Sequence, residues 1–336
     1  MNKIKFAVMG CGRIGVKHID YIEKNPNAEL IALIDDRINE IEIKCNNKFK
    51  TLEEFFESKI NTDIVNIATP NGLHAEHAIK VLESGVNVLI EKPMALKKKD
   101  AEMIIKTSIN KNKKVFIVMQ NRYSPNISYV KKLIEGKHLG NIFFININCF
   151  WNRNDNYFKN NSWHGTLSED GGVLYTQFSH FIDTIYWLFG DIKNINTKLF
   201  KFNKKQKTEF EDSGTVRFET ANGALCVINF SIASFKKYFD SSISIIAEKG
   251  NIKIGGQYLE DLEICEIDNS NLLYNDLRKI PVYYNDYDTN QVNHALVIQN
   301  AIDVLRNNSE IKTNALDGLK VTEIIENIYE NGRDKK

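Results

Sequence analysis

The stretch Ile4–Gly15, IKFAVMGCGRIG, decides the fold, because an apolar run passes directly into a glycine-rich turn. The apolar residues Ile4–Met9 predict a short buried strand. After the turn, the helical spacing of VKHIDYIEK predicts a helix that stops near Pro26, and Ala28–Asp35 predicts a second strand. Strand, helix and strand make a βαβ unit, so the first part of the chain is predicted to be an α/β domain.

The glycines from Gly10 to Gly15 form the pattern G-x-G-x-x-G, whose backbone suits a pyrophosphate. They permit a tight turn, and the phosphate then lies at the helix N-terminus, where N–H groups favour an anion. Asp35, at the end of the second strand, is placed to accept hydrogen bonds from ribose hydroxyls and to repel a 2′-phosphate. The predicted NAD site comprises Gly10, Gly12, Arg13, Ile14 and Asp35. Arg37 leaves NADP open, and a glycine turn of another α/β fold is the alternative.

Helices and strands keep alternating as far as residue 122, which predicts a doubly wound parallel sheet of the Rossmann type. Ligands of such sheets bind beyond the carboxyl ends of the strands. Three predicted strand ends meet there, namely Thr69-Pro70-Asn71, Glu91-Lys92-Pro93 and Gln120-Asn121-Arg122. A lysine at this edge, beside a dinucleotide, is placed where a reacting hydroxyl would lie. Lys92 is therefore the candidate catalytic residue, and a solvated lysine in a loop opening is the alternative.

The same strand ends supply further predicted contacts to the cofactor and the substrate. His74 and His77 lie one helical turn apart without a third ligand, so we predict packing beside the cofactor loop rather than a metal site. The predicted cofactor contacts here are Thr69, Pro70, Asn71, His74, Glu91, Lys92 and Gln120. The predicted substrate contacts here are Lys92, Asn121 and Arg122.

Beyond residue 122 the pattern changes to long β-rich segments joined by turn residues, with helices at 124–140 and near the end of the chain. These segments predict an open, mostly antiparallel sheet. We therefore predict a Rossmann domain over residues 1–122 and a C-terminal α+β domain over residues 123–336. The β-rich segments lie at 141–152, 192–202, 212–220, 224–234 and 240–255.

Helical spacing from Val173 onward places Thr176, His180 and Asp183 three or four residues apart, so they are predicted to share one face. The carboxylate of Asp183 can orient the imidazole, whose other nitrogen then faces a substrate hydroxyl. A histidine satisfied within the core is the alternative for His180.

Composition narrows the class of protein. The formal net charge of +1 gives no broad electrostatic footprint for nucleic acid or an anionic membrane. Five scattered cysteines without a CxxC pattern fit a reducing cytoplasm and argue against a disulfide framework or structural zinc. No run approaches the ~18 apolar residues of a membrane span. We predict a cytoplasmic protein without a metal site.

These motifs resemble those of the glucose–fructose oxidoreductase, inositol dehydrogenase and rhizopine catabolism (Gfo/Idh/MocA) family of sugar dehydrogenases, over essentially the whole chain. The resemblance rests on G-x-G-x-x-G, on EKP at Glu91–Pro93, and on H-x-x-D at His180 and Asp183 after Gly-Gly. It implies that Lys92 transfers a proton beside the nicotinamide, that the bond to Pro93 is cis, and that His180 and Asp183 act in catalysis. Thr176 stands where many members carry an acid, and Gln177 is assigned a polar substrate contact.

Within the family, the segments MQNRYSPNISYVKKLI, NCFWNRNDNYF and WHGTLSEDGGVLYTQFSHFIDTIYWLFGD are similar to the WlbA/WbpB-like group. That group oxidises C3 of UDP-N-acetylglucosaminuronate for 2,3-diamino sugars of surface polysaccharides. The similarity implies a UDP-sugar substrate, a downstream aminotransferase, NADH reoxidation by 2-oxoglutarate, and a homodimer or homotetramer. His164 replaces an expected arginine, which keeps neutral UDP-N-acetylglucosamine open as the substrate. The predicted substrate contacts in this part are Arg122, Arg153, Trp163, Thr176, Gln177 and His180.

The resemblance also implies a mechanism. The hydride of C3 passes to C4 of the nicotinamide, and Lys92, with its pKa lowered by partial burial and by the cofactor ring, takes the hydroxyl proton. His180 binds the same or the neighbouring hydroxyl. Three alternatives stay open: an NAD-dependent glycoside hydrolase, a non-catalytic NAD(H)-responsive binding protein, and a dehydrogenase of free sugars or polyols.

Overall fold

The computed structural model describes residues 2–159, 163–268 and 280–333. The chain forms two compact units that divide between Met119 and Gln120. The first unit also includes Ile280–Thr322, and the second also includes the chain from Glu323 onward. The domain boundary near residue 122 stays a prediction. Across the described ranges, no helix combines the length and the apolar character that crossing a membrane requires.

The secondary structure begins with the predicted strand, glycine turn and helix. The strands are β1 Ile4–Met9, β2 Ala28–Ile34, β3 Lys48–Phe49, β4 Ile64–Ile67, β5 Asn87–Ile90, β6 Val115–Ile117, β7 Ile142–Phe150, β8 Ile192–Phe200, β9 Ser213–Thr220, β10 Leu225–Ser231, β11 Asp240–Ala247, β12 Gly250–Gly255 and β13 Asp261–Ile267. The α-helices are α1 Arg13–Lys24, α2 Leu52–Glu57, α3 His74–Glu83, α4 Lys98–Lys111, α5 Pro125–Glu135, α6 Asp155–Lys159, α7 Val173–Thr176, α8 Ser179–Phe189, α9 Thr289–Asn307 and α10 Ala315–Arg333.

The first unit contains a parallel sheet with the strand order β3-β2-β1-β4-β5-β6. Its central strands are buried on both faces, as their near-continuous apolar sequences require. The order reverses between β1 and β4, which is the switch point where doubly wound sheets bind ligands. The predicted Rossmann sheet is therefore confirmed.

The second unit contains a seven-stranded sheet with the order β13-β12-β11-β7-β10-β9-β8. All neighbours are antiparallel except β7 and β10, which pair in parallel, so the predicted open, mostly antiparallel sheet is confirmed. Buried residues alternate along β7 and β10, and the buried face includes Ile147 and Phe230. Phe178 lies against Phe230, with ring centroids 6.4 Å apart.

One predicted strand ends earlier than the sequence suggested. The apolar run was expected to continue through Arg122, but β6 ends at Ile117, and Gln120–Tyr123 form a buried 3-10 helix. The hydroxyl of Thr313 donates to the Ile117 carbonyl over 2.6 Å. That carbonyl therefore has a side-chain donor at the point where the strand ends.

The helix predicted from Val173 is divided in two. The N–H groups of Gln177 and Phe178 both donate to the Val173 carbonyl, and α8 starts afresh at Ser179. Phe178 leaves the helical conformation (φ −122°, ψ 10°), and its ring is buried against Trp151. Thr176 therefore lies on a different helix from His180. The prediction that Thr176 shares one helix face with His180 and Asp183 was wrong.

Candidate functional site

The glycine turn between β1 and α1 has the geometry that a bound diphosphate requires. Gly10 has a φ of +85°, and a Cβ atom there would lie 2.6 Å from the carbonyl carbon of Ala68. A Cβ atom on Gly15 would lie 1.9 Å from the Gly10 carbonyl oxygen. Around Gly12 a Cβ atom would meet no described heavy atom within 4 Å, and Gly12 directly precedes α1. This open backbone and the N–H groups of the first helical turn, at Arg13 and Ile14, fit a pyrophosphate.

Asp35 joins the end of β2 to the glycine turn. Its Oδ2 accepts a hydrogen bond from the Cys11 N–H over 2.7 Å, and its Oδ1 accepts one from the Arg37 N–H over 2.9 Å. Each carboxylate oxygen has two lone pairs, so these bonds leave acceptor capacity for ribose hydroxyls. Burial, followed by the Asp35 charge, raises the pKa of Cys11 to about 12, so its thiol stays protonated at neutral pH.

Replacing Asp35 with serine is expected to raise the NADPH-to-NADH affinity ratio about tenfold or more, which corresponds to ~1.4 kcal/mol. The physical reason is that a carboxylate facing a 2′-phosphate places like charges together. Fluorescence titration with both dinucleotides measures the ratio. Asp36→Ser is the matched control, because the Asp36 side chain is 90% exposed. An unchanged ratio in Asp35→Ser would count against the ribose contact.

His74, the first residue of α3, bridges the loops that follow β4 and β5. Its Nδ1 lies 2.7 Å from the Pro93 carbonyl oxygen, and its Nε2 lies 2.8 Å from that of Thr69. Burial lowers the pKa of His74, so the ring is neutral at pH 7 and donates to one of these carbonyls. Both ring nitrogens thus face the backbone. His74 therefore holds the two loops together, and its predicted cofactor contact stays a prediction.

Glu91 and Lys92 follow β5, and the Lys92–Pro93 bond is cis, as the family resemblance implied. The Glu91 carboxylate is buried, with Oε1 lying 3.0 Å from Nε2 of His18 on α1. Its Oε2 accepts the backbone N–H of Lys92 over 3.0 Å. Burial opposes ionisation of Glu91, but the interactions with His18, His294 and Lys92 together outweigh it and hold the pKa at about 2. Glu91 therefore anchors the backbone of Lys92, which is partly buried.

Asn66 on β4 completes the anchor. Its side chain lies within hydrogen-bond distance of Nδ1 of His18, so the ring contacts both Asn66 and Glu91. Strand β4, helix α1 and the end of β5 are thereby joined. Local sequence spacing gave no sign of this cluster, because its members come from three separate elements. The predicted cofactor contacts of Thr69, Pro70, Asn71 and Glu91 stay predictions.

A buried ion pair in the second unit joins the 3-10 helix to α8. Arg122 donates to Asp183 from Nε over 3.0 Å and from Nη2 over 2.6 Å, and both side chains are almost fully buried. Beside it, Nδ2 of Asn121 donates to the Thr184 hydroxyl over 3.4 Å. The sequence analysis predicted that Asp183 orients His180 and that Arg122 contacts the substrate, and both stay predictions. The structure adds a direct contact between Arg122 and Asp183, which the sequence did not indicate.

His180 lies in the first turn of α8 and is 4% exposed. Its ring centroid lies 6.1 Å from that of Trp151 and 4.8 Å from that of Phe181. Thr176, six residues after Asp170, donates its hydroxyl to the Asp170 carbonyl over 3.0 Å and also contacts the Asp170 carboxylate. Sequence reasoning missed Asp170, although it stands directly before the Gly-Gly pair. The structure thus places a buried acid beside the threonine that replaces the family acid.

Gln177 links Arg153 to Tyr157 in the second unit. Nε of Arg153 donates to Oε1 of Gln177 over 2.8 Å, and Nε2 of Gln177 donates to the Tyr157 hydroxyl over 2.8 Å. The Arg153 guanidinium also lies over the rings of Trp151 and Tyr157, at 4.9 and 5.0 Å. The predicted substrate contacts Arg153 and Gln177 are therefore brought together.

His164 is enclosed by aromatic rings. It stacks on Tyr157 with centroids 4.4 Å apart, and the ring of Trp163 lies 3.7 Å away. Its Nδ1 lies 3.9 Å from Oδ2 of Asp170. A histidine here faces a buried carboxylate, whereas the family resemblance led us to expect an arginine. In the described parts of the chain, no three His, Cys, Asp or Glu side chains are grouped to hold a metal ion.

Two family models match the chain in succession. The model described as "Oxidoreductase family, NAD-binding Rossmann fold" matches residues 4–119, and the "GFO/IDH/MocA C-terminal domain" model matches residues 127–253. Together they span well over half of the sequence.

Individual relatives are more distant in sequence than in fold. The crystal structure of the WlbA dehydrogenase from Bordetella pertussis, in complex with NADH and UDP-GlcNAcA, is 29% identical, with a TM-score of 0.89 over 100% of this chain and 98% of that one. Oxidoreductase P35 of Formosa agariphila is 27% identical, over 75% of this chain and 79% of that protein. Glucose-6-phosphate 3-dehydrogenase of Bacillus subtilis is 24% identical, over 74% of this chain and 73% of that protein.

Proposed function

Since the chain belongs to the Gfo/Idh/MocA family of NAD-dependent oxidoreductases, we propose that it oxidises the C3 hydroxyl of a UDP-N-acetyl sugar, with UDP-N-acetylglucosaminuronate favoured. The observation that carries the proposal is the full-length similarity to WlbA, whose structure holds NADH and UDP-GlcNAcA. The product is a 3-keto sugar. The EKP and H-x-x-D motifs of this chain support a dehydrogenase reaction.

Bound NAD supplies the hydride acceptor. In the proposed reaction the neutral amine of Lys92 takes the proton of the C3 hydroxyl as the C3–H bond breaks, which leaves a carbonyl. Such general-base assistance typically contributes ~10²–10⁴-fold to the rate. The Glu91 carboxylate anchors the backbone N–H of Lys92, and His74 contacts the carbonyl of Pro93. These contacts support a fixed position for the base, which proximity effects require.

The second unit supplies the proposed contacts to the sugar. We assign to His180 a hydrogen bond to the reacting or the neighbouring hydroxyl, in which the imidazole shares the proton. Asp183, which pairs with Arg122, holds α8 to the preceding 3-10 helix and so positions His180. Thr176, Gln177, Asn121 and Trp163 complete the proposed set of substrate residues.

His164 favours a second candidate substrate, neutral UDP-N-acetylglucosamine. An arginine at this position would offer a permanent positive charge and a two-pronged hydrogen bond to a carboxylate. The histidine instead lies between aromatic rings, near the Asp170 carboxylate. An uncharged C6 group needs no cation there, so the neutral sugar is retained beside the uronate.

Mass spectrometry of the product tests the proposal. The purified protein is incubated with NAD, 2-oxoglutarate and either UDP-N-acetylglucosaminuronate or UDP-N-acetylglucosamine. We expect one sugar to lose the mass of two hydrogen atoms, and to become an amine once a partner aminotransferase is added. A reaction without dinucleotide is the control. If neither nucleotide sugar changes while NADH still binds, the nucleotide-sugar assignment is wrong, and free sugars and glycosides are tested next.

We place this reaction in the cytoplasm, on a route to diamino sugars of surface polysaccharides or to amino-sugar lipid A. The proposed partners are the aminotransferase that consumes the 3-keto product and 2-oxoglutarate as the oxidant that regenerates NAD. The open face of the seven-stranded sheet supports a homodimer or homotetramer.

A further inference from the structure

A cleft of about 470 Å³ opens in the second unit at one edge of the seven-stranded sheet. Its lining includes Asn152 and Arg153, which follow β7, and Ala233, which follows β10. Because β7 and β10 are parallel, their carboxyl ends meet at this edge. The volume lies within the ~300–1,000 Å³ range of small-molecule sites.

The walls of the cleft are fixed by backbone bonds. The N–H of Arg153 donates to the Ile232 carbonyl over 2.8 Å, and Asn152 and Ala233 form a bridge between the two segments. The Arg153 side chain is also held, by Gln177 at Nε and by the Asn152 carbonyl at Nη1 over 3.0 Å. A guanidinium fixed in this way is suited to phosphate oxygens.

The segment after β10 brings a second cation and an aromatic ring to the cleft. Lys236 and Phe235 both line it, with the lysine Nζ 5.0 Å from the ring centroid. The Phe235 side chain is 84% exposed, so its ring is open to a stacking partner. Asn203 adds an amide. Among the lining residues that the structure describes, Asp155 is the acid, so two cations face one carboxylate. Two cations, asparagine amides and an exposed ring match the diphosphate and the base of a nucleotide.

The cleft is also connected to the residues assigned to the sugar. Gln177, which bonds Arg153, stands three residues before His180 at the junction of α7 and α8. We therefore propose that the cleft binds the nucleoside diphosphate end of the substrate, with Arg153 and Lys236 on the phosphates and Phe235 stacked on the base. This inference rests on the proposed nucleotide-sugar function and assigns part of the substrate to a site.

Calorimetric titration of the full-length protein with UDP, in saturating NADH, tests the assignment. NADH occupies the dinucleotide site, so UDP is measured elsewhere. We expect Phe235→Ala to weaken UDP binding about tenfold, because stacking of a base on an aromatic ring has effects of this order. Lys236→Ala is expected to weaken both UDP and inorganic pyrophosphate, whereas Phe235→Ala should leave pyrophosphate binding unchanged. This contrast separates the base contact from the phosphate contact.

The neighbouring residues provide matched controls. Phe239, also exposed at 76%, and Lys237 lie on the same segment but do not line the cleft. Phe239→Ala and Lys237→Ala should bind UDP as the unaltered protein does. If all four variants bind UDP equally, the cleft assignment is overturned and the proposed function stands. If the unaltered protein binds NADH but not UDP, the nucleotide-sugar function and the cleft assignment fall together.

Discussion

Replacing Lys92 with alanine is expected to lower kcat by ~10²–10⁴-fold while NAD binding and the fold stay intact. The alanine removes the amine that accepts the hydroxyl proton. It leaves the backbone N–H that donates to Glu91, and His74 keeps its contact with the Pro93 carbonyl. Single-turnover formation of NADH from the substrate identified by mass spectrometry measures the loss, and NADH fluorescence measures cofactor binding.

Two further variants separate proton transfer from charge. Lys92→Arg retains a positive charge but provides a group that stays protonated, so we expect turnover to remain low. Lys99→Ala, at an exposed position in α4, controls for the loss of a lysine and should leave kcat unchanged. Turnover close to that of the unaltered protein in Lys92→Arg would show that charge alone is needed and would remove the general-base role.

Elements with strong local signals were predictable. The strand, glycine turn and helix at Ile4–Lys24 carry their information in consecutive residues, because a close backbone approach admits only glycine at Gly10 and Gly15. The long alternating segments of the second unit likewise predicted strands. The pairing of these strands was not predictable, because the same alternation of buried and exposed residues fits parallel and antiparallel strands. Only the structure shows that β7 and β10 are parallel.

The sequence names candidate site residues, whose roles stay predictions, but it does not show which residues they contact. Lys92 and His180 were found through motifs, whereas the partners of Asp183 and Glu91 come from distant parts of the chain. Arg122 lies 61 residues from Asp183 in sequence. Helical spacing relates only residues three or four apart, so it suggested a contact between Asp183 and His180 and gave no sign of Arg122. A buried carboxylate requires a counter-charge. The sequence alone does not show which arginine supplies it to Asp183.

The Arg122–Asp183 pair gives the second large expected effect. The Asp183 side chain is 0% exposed, so Asp183→Ala leaves the Arg122 charge buried without this counter-charge. Removing one partner of a buried ion pair typically destabilises a protein by ~3–5 kcal/mol. All three tryptophans, Trp151, Trp163 and Trp187, belong to the second unit. Urea unfolding followed by tryptophan fluorescence therefore reports the stability of that unit.

An exposed ion pair in the same unit provides the matched control. Lys253 and Glu263 on the β12–β13 hairpin lie 2.7 Å apart, with side chains about 40% exposed. Glu263→Ala is expected to change the free energy of unfolding by at most ~1 kcal/mol, because solvent screens such pairs. An equally small change in Asp183→Ala would contradict the importance of the buried pair for stability.

The double variant Arg122→Met/Asp183→Leu separates stability from catalysis at Asp183. Because a buried ion pair can be replaced by apolar side chains with little loss, we expect this variant to recover most of the stability lost in Asp183→Ala. If Asp183 serves only to hold α8 to the 3-10 helix, turnover should recover with stability. If the carboxylate also acts on His180, or if Arg122 contacts the substrate, turnover should stay low in a stable protein. Only in the first case should the acid limb of the pH–rate profile shift, because the imidazole has lost a nearby negative charge.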